Sequence, residues 1–240
     1  VNAADTITIK TTDDYLELAK NCKTDTWSED KTVVLENDID LSDINFVPIP
    51  TFSGVFMGNG HTISGVDINS KGSHQGLFRY IQKDGRIENL TVEGTITPLG
   101  TRKFIGGIAG ELRGIITNCT FNGTVSGDSS VGGICGYITD SGQIISSYSY
   151  GNITGKSYTG GICGQNYGAV ELCENYADVN TTDNEEEKTI QDISNIDLSA
   201  IGKTESINTN TDTGGICGYL KGKIKDCKNS GNIGYRSIGY

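Results

Sequence analysis

A repeated pentapeptide constrains this chain more than any other feature of its sequence. Gly-Gly-Ile-Cys-Gly occurs at 132–136, 160–164 and 214–218, Gly-Gly-Ile-Ala-Gly occurs at 106–110, and a degenerate copy lies at 75–78. The second glycines of successive copies are 31, 26, 28 and 54 residues apart. Repeats of this length are typical of solenoids, in which each repeat buries its apolar side against its neighbours.

Alignment of the copies produces three columns that are apolar or small almost throughout. They are Phe78, Ala109, Cys135, Cys163 and Cys217; Leu90, Cys119, Ser147, Cys173 and Cys227; and Ile96, Val125, Ile153, Val179 and Ile233. Polar residues alternate with these positions, which is the period-two pattern of strands with one buried face. The pattern predicts a solenoid of stacked β coils, with like residues about 4.8 Å apart. Leucine-rich repeats are the main alternative at this period, but their leucine and asparagine signature is missing.

Glycine is unusually abundant, with 33 residues among 240. That is roughly twice average usage. The glycines recur in columns, one at 107, 133, 161 and 215 and another at 94, 123, 151 and 231. We expect them to mark the coil corners and tight inward approaches of the solenoid, where a Cβ atom has no room.

Two consecutive segments resemble a known family. FSGVFMGNGHTISGVDI runs from Phe52 to Ile68, and GLFRYIQKDGRIENLTVEGTI runs from Gly76 to Ile96. With the later pentapeptides, they are similar to the GLUG-motif family of bacterial surface proteins, which includes segments of immunoglobulin-A1-cleaving metallopeptidases and of large adhesins. The resemblance covers about residues 33–233 and implies an all-β, right-handed parallel β-helix. Because such repeats serve as scaffolds in proteins of different activity, the resemblance implies no particular reaction.

The two ends and one long interval depart from the repeat. Residues 1–41 are predicted to form a small α/β cap, with strands at Thr6–Lys10 and Lys31–Leu41 around a short helix that begins near Thr12. Residues 42–240 are predicted to form the β-helix. An acidic excursion at 181–212 is either a loop or a degenerate coil. The last ten residues follow the repeat register, so we expect a monomer or part of a longer chain.

Charge and hydropathy limit the partners. Lys plus Arg number 19 and Asp plus Glu number 30, for a formal net charge of −11. Such a chain repels a phosphate backbone on average, so nucleic acid is a poor partner. No apolar run approaches the roughly 20 residues of a membrane span. We expect an extracellular or cell-surface bacterial protein with no membrane insertion.

The residues that usually carry catalysis or bind metals do not form recognisable motifs. The seven cysteines exchange with Phe, Ala, Leu and Ser in their columns, so we expect reduced, buried thiols; disulfides or a metal are the alternative. The two histidines are His61, in a turn, and His74, and there is no HExxH sequence. Carboxylates do not align in the repeat columns, as the acid/base pair of a polysaccharide hydrolase or lyase would require. We predict no catalytic residue, no metal site and no cofactor.

Tyrosines and the acidic excursion are the candidate ligand-binding residues. Exposed aromatic rings on a flat sheet can stack on sugars or contact a protein, although they can also simply cover sheet edges. The candidates are Tyr137, Tyr158, Tyr167, Tyr219, Glu185, Glu186, Glu187 and Asp192. The predicted function is a non-catalytic surface or secreted module that binds a glycan or host protein, or a structural stalk. The alternatives are a carbohydrate-active enzyme on a β-helix and an accessory domain of a larger surface peptidase.

Overall fold

The strands of this protein stack in parallel to form a β-solenoid of about six turns, with one short helix near the N-terminus. The computed structural model describes residues 5–181 and 211–234. The prediction of an all-β parallel solenoid is confirmed. Most of the acidic excursion predicted at 181–212 lies outside the described residues.

A full turn passes through four parallel sheets, which are numbered here in the order in which one turn, residues 103–126, passes through them. Sheet 1 consists of Lys103–Gly106, Ser129–Gly132, Ser157–Gly160 and Thr211–Gly214. Sheet 2 consists of Ile49–Phe52, Phe78–Ile81, Ala109–Leu112, Cys135–Ile138, Cys163–Asn166 and Cys217–Leu220. Sheet 3 consists of Asp5–Ile9, Lys31–Leu35, Val55–Met57, Arg86–Glu88, Ile115–Thr117, Gln143–Ile145, Ala169–Glu171 and Lys223–Lys225. Sheet 4 consists of Ile39–Asp40, Thr62–Ile68, Thr91–Ile96, Thr120–Ser126, Tyr148–Thr154, Glu174–Asn175, Asp178–Val179 and Lys228–Asn229.

The pairing register reproduces the sequence columns. In sheet 2, Cys135 pairs with Cys163, and Cys163 pairs with Cys217. In sheet 4, Val125 pairs with Ile153. Like residues therefore stack along the solenoid and fill its interior, where Cys135 and Cys163 are fully buried. All seven cysteines are free thiols, and burial raises the pKa of Cys119 to about 12, so this thiol stays protonated at neutral pH.

The glycine columns leave no room for side chains. Gly133 lies in the bend between sheets 1 and 2, and a Cβ atom there would be 1.9 Å from Oγ of Ser149, across the coil. Gly123 lies within a strand and not at a corner, and it belongs to the expected positions where a Cβ atom has no room. A Cβ atom on Gly123 would be 1.9 Å from the carbonyl oxygen of Gly94 in the preceding turn. These glycines thus permit close approach; the first column lies in bends, whereas Gly94, Gly123 and Gly151 of the second column lie within strands.

The N-terminal helix spans Thr12–Asn21 and begins with a capping box. The Thr11 hydroxyl accepts a hydrogen bond from the Asp14 amide at 3.2 Å, and the Asp14 carboxylate accepts one from the Thr11 amide at 2.9 Å. The flanking strands, Asp5–Ile9 and Lys31–Leu35, pair with each other and extend sheet 3. The domain boundary at residue 41 stays a prediction.

An ion ladder ties three turns together where sheet 4 leads into sheet 1. Asp128 accepts hydrogen bonds from Arg102 at 2.7 Å and from Lys156 at 3.0 Å, each one turn away. The hydrogen bond from Arg102, aided by Lys156, lowers the pKa of Asp128 to about 2 despite partial burial. A carboxyl group whose pKa is lowered on folding stabilises the folded state above its unfolded pKa, near 4, and loses that effect as the pH falls towards 2.

We therefore expect Asp128→Asn to lower the free energy of unfolding at pH 7 by about 1–2 kcal/mol, since the group is partly exposed. The stability difference from the parent protein should shrink between pH 4 and pH 2, within the window set by the ordinary value of 3.8 and the folded value of about 2. Urea denaturation at a series of pH values measures it. Asp43→Asn is the control, because Asp43 is exposed and forms no ion pair with any residue the structure describes. A difference that did not change with pH would contradict the role of the carboxylate charge.

Candidate functional site

Seven ring-bearing side chains form an unbroken line of contacts over the outer surface of sheets 1 and 2. We call this line the aromatic track; its members are His74, Tyr80, Phe104, Tyr137, Tyr158, Tyr167 and Tyr219. The rings are partly exposed to solvent. They come from five successive turns, so at about 4.8 Å per turn the track is about 19 Å long.

The repeat register builds the middle of the track. Tyr80, Glu111 and Tyr137 pair in order in sheet 2, and Gln165 and Tyr219 continue the same column. Three tyrosines thus alternate with a carboxylate and an amide along one line. Tyr137 and Tyr219 therefore share a register position, two turns apart.

A second column, in or next to sheet 1, supplies further rings. His74, Phe104 and Tyr158 all have left-handed backbone conformations, with φ values of 54°, 60° and 51°. Phe104 falls between the paired residues Lys103 and Ile105, so it interrupts the regular ladder of its strand. The equivalent residues Ser130 and Asp212 are also left-handed, with φ values of 58° and 60°, so this conformation belongs to the repeat and recurs from turn to turn.

The ring contacts connect the two columns from turn to turn. His74 lies 4.8 Å from Tyr80 and 4.6 Å from Phe104, measured between ring centroids. Phe104 is 5.4 Å from Tyr137, which is 5.5 Å from Tyr167. These separations are those of favourable aromatic pairs. The track continues from Tyr167 to Tyr219 at 5.8 Å, and from Tyr219 to Tyr158 at 5.5 Å.

Glu111 is the one carboxylate in the middle column. It is largely buried, and its two oxygens contact His74 Nε2 at 3.4 Å and Arg113 Nε at 2.8 Å. The hydrogen bond from His74, supported by that from Arg113, lowers the pKa of Glu111 against the opposing effect of burial. Glu111 is therefore ionised at neutral pH. Its carboxylate holds the His74 ring within the track and the Arg113 guanidinium group beside it.

Half of the predicted binding residues meet in this site. Tyr137, Tyr158, Tyr167 and Tyr219 all belong to the track, whereas Glu185, Glu186, Glu187 and Asp192 lie outside the described residues. Sequence reasoning missed His74, Tyr80 and Phe104. Tyr80 could have been found from the sequence, because it follows the degenerate copy at 75–78 as Tyr137 follows the pentapeptide at 132–136. His74 and Phe104 carried no such signal.

Two other surface features lie off the track. Tyr150 and Tyr176 stack in parallel on sheet 4, with centroids 4.8 Å apart. A groove of about 560 Å3 lies beside sheet 4 near the N-terminus and is lined by residues of the segment 42–48 and the strand Thr62–Ile68. His61 also lies off the track, and its Nδ1 atom contacts the Asp38 carboxylate at 3.1 Å. Within residues 5–181 and 211–234, no three His, Cys, Asp or Glu side chains are grouped as a metal site would require.

Comparison with known proteins supports the fold. No family model matches the chain. The chain is 35% identical over 92 residues to halomucin of Haloquadratum walsbyi (strain DSM 16790 / HBSQ001), a match that covers 38% of this chain and 1% of halomucin. The structure is similar to a crystal structure from Bacteroides ovatus described as a "putative immunoglobulin A1 protease", with a TM-score of 0.58 and 17% identity. That similarity covers 97% of this chain and 78% of the Bacteroides ovatus chain.

These similarities bear on architecture. At 17% identity, the similarity to the Bacteroides ovatus structure shows a shared fold alone. The chain spans about one hundredth of the length of halomucin, so the match concerns a small segment of a much longer protein. No helix in the described part of the chain is both long and apolar enough to cross a membrane.

Proposed function

We propose that this chain is a non-catalytic binding module of an extracellular or cell-surface protein, and that the aromatic track binds carbohydrate chains. The observation that carries the proposal is the continuity of the track: partly exposed rings recur over five successive turns along one line. An extended oligosaccharide laid along the solenoid would meet a ring at every turn.

The chemistry of the track suits sugars. A pyranose has apolar C–H faces that pack on aromatic rings, and hydroxyl groups that need hydrogen-bond partners. Between Tyr137 and Tyr219 of the same sheet 2 column lies Gln165, whose amide both donates and accepts hydrogen bonds. Tyrosine hydroxyls add further donors and acceptors at the edges of the same rings.

The electrostatics of Glu111 support binding over glycoside hydrolysis. A hydrolase needs one carboxyl group whose raised pKa keeps it protonated as a general acid. The pKa of Glu111 is lowered, and both of its oxygens are already engaged by basic side chains. We therefore assign Glu111 to positioning His74 and Arg113.

Three observations support the proposed cellular setting. The sequence resembles the GLUG-motif proteins of bacterial surfaces, and the solenoid fold is shared with the Bacteroides ovatus protein. The acidic charge fits an exported protein that avoids nucleic acid. We place this module in that class, outside the bacterial cell.

An oligosaccharide array incubated with the purified chain tests the proposal. We expect retention on extended oligosaccharides, and weaker retention on monosaccharides, since longer chains contact more turns. The same array carrying immobilised host surface proteins tests the other partner class. Binding to proteins alone, or binding to neither class, would overturn the carbohydrate proposal.

A further inference from the structure

Cationic side chains border the aromatic track, although the whole chain has a formal net charge of −11. Arg79 donates hydrogen bonds to the carbonyl oxygens of Ser73 and His74. The others are Lys103, which precedes Phe104, Arg113, which contacts Glu111, and Lys221, which lies over Tyr167. Among the described residues, Glu111 is the one carboxylate that forms an ion pair with any of these four cations, through Arg113.

Lys221 differs from the other lysines of the last described turn. Its ammonium nitrogen lies 5.1 Å from the centroid of the Tyr167 ring, and it forms no ion pair with a described residue. Lys223, Lys225 and Lys228 each have a carboxylate within 4.0 Å, provided by Glu171, Asp226 and Glu174 respectively. Lys221 thus places a positive charge, unpaired among the residues that the structure describes, against a ring of the track.

Arg113 presents a half-exposed guanidinium group, paired through Nε with Glu111, in the same column as Lys221. Each follows directly after a paired sheet 2 residue, Leu112 and Leu220, and Tyr167 occupies the equivalent position between them. Three turns separate the two cations, or about 14 Å. Arg113 is 51% exposed and uses Nε for Glu111, so its terminal nitrogens have no partner in the described part of the chain.

From these observations we infer that the saccharide bound by the track is acidic, with sugar carboxylates received by Lys221 and Arg113 while the rings stack on the pyranose faces. This inference rests on the proposed carbohydrate-binding function. The free end of a guanidinium group matches the planar geometry of a carboxylate. The ammonium group of Lys221 supplies a point charge beside the stacked sugar.

The carboxylate can belong to a uronic acid within the chain or to a terminal sialic acid, and paired probes separate these sources. The first pair is a galacturonic acid tetrasaccharide and the same tetrasaccharide with its carboxylates reduced to alcohols. The second pair is sialyllactose and lactose. Titration calorimetry should show that at least one acidic probe binds about 10-fold more tightly than its neutral partner at low salt. The difference should shrink at about 0.5 M salt, because screening weakens partly exposed charge pairs.

Lys221→Gln is expected to weaken binding of the preferred acidic probe about 5-fold, and the affinity for the neutral partner should change less. Lys225→Gln is the matched control, since Lys225 is an exposed lysine of the same turn that lies on sheet 3. Equal affinity for acidic and neutral probes, or equal effects of the two substitutions, would overturn the inference and leave the proposed function standing. Array binding to neutral glycans alone would also overturn it. A chain that binds no saccharide at all would refute the proposed function as well.

Discussion

Replacing Gly136 by alanine is expected to destabilise the solenoid by at least about 3 kcal/mol, near the upper end of single-residue effects. A Cβ atom at this position would be 2.3 Å from the carbonyl carbon of Phe104 and 2.4 Å from the amide nitrogen of Ile105. Both atoms belong to the backbone of the preceding turn, so no rotamer change relieves the clash. The two turns would have to separate, which would weaken the hydrogen bonds between them. Urea denaturation measures the loss.

Gly60→Ala is the control for this prediction. Gly60 has a positive φ of 80°, but nothing lies within 4 Å of a Cβ atom placed there. Its replacement should cost about 1 kcal/mol, through backbone strain alone. Similar losses for the two variants would mean that Gly136 is required for conformation and that the turns are not held in close contact there.

The interior of this fold could be predicted because it repeats. Cys135 pairs with Ala109, 26 residues earlier, and Val125 pairs with Ile153, 28 residues later, so parallel in-register stacking follows once the repeats are aligned. The alignment of repeats does not show whether a glycine such as Gly123 lies at a corner or at a close approach within a strand. Glycine normally indicates a turn, yet here it lies within a strand whose neighbour approaches too closely for any side chain.

The aromatic track could be predicted only in part, for a conformational reason. Tyr137 and Tyr219 share a column, so their alignment follows from the repeat. Phe104 and Tyr158 reach them across the bend between sheets 1 and 2, from left-handed positions where glycine, asparagine or aspartate would be expected. Nothing in a sequence marks an aromatic residue as left-handed, so contacts such as that between Tyr158 and Tyr219 emerge only from the structure.

The same track predicts the largest effect on binding. Tyr137→Ala removes the ring that connects Phe104 to Tyr167, at the centre of the line. Central, partly buried aromatic residues commonly contribute 2 kcal/mol or more to binding, so we expect about a 30-fold loss of affinity for an oligosaccharide selected from the array. Calorimetry measures the loss, and a denaturation curve on the same sample establishes that the variant is folded. Tyr137→Phe should retain most of the affinity, because stacking depends on the ring.

Tyr150→Ala provides the matched comparison for the Tyr137 variant. Tyr150 is 38% exposed and stacks on Tyr176, so it loses a comparable ring contact, but it lies on sheet 4 and outside the track. Its affinity for the oligosaccharide should equal that of the parent protein. If Tyr150→Ala weakened binding as much as Tyr137→Ala, the saccharide would not follow the line of rings. Selective loss at Tyr137 would instead show that the repeat has two roles. It stacks equivalent positions of successive turns to build the solenoid, and it spaces the sugar-binding rings along it.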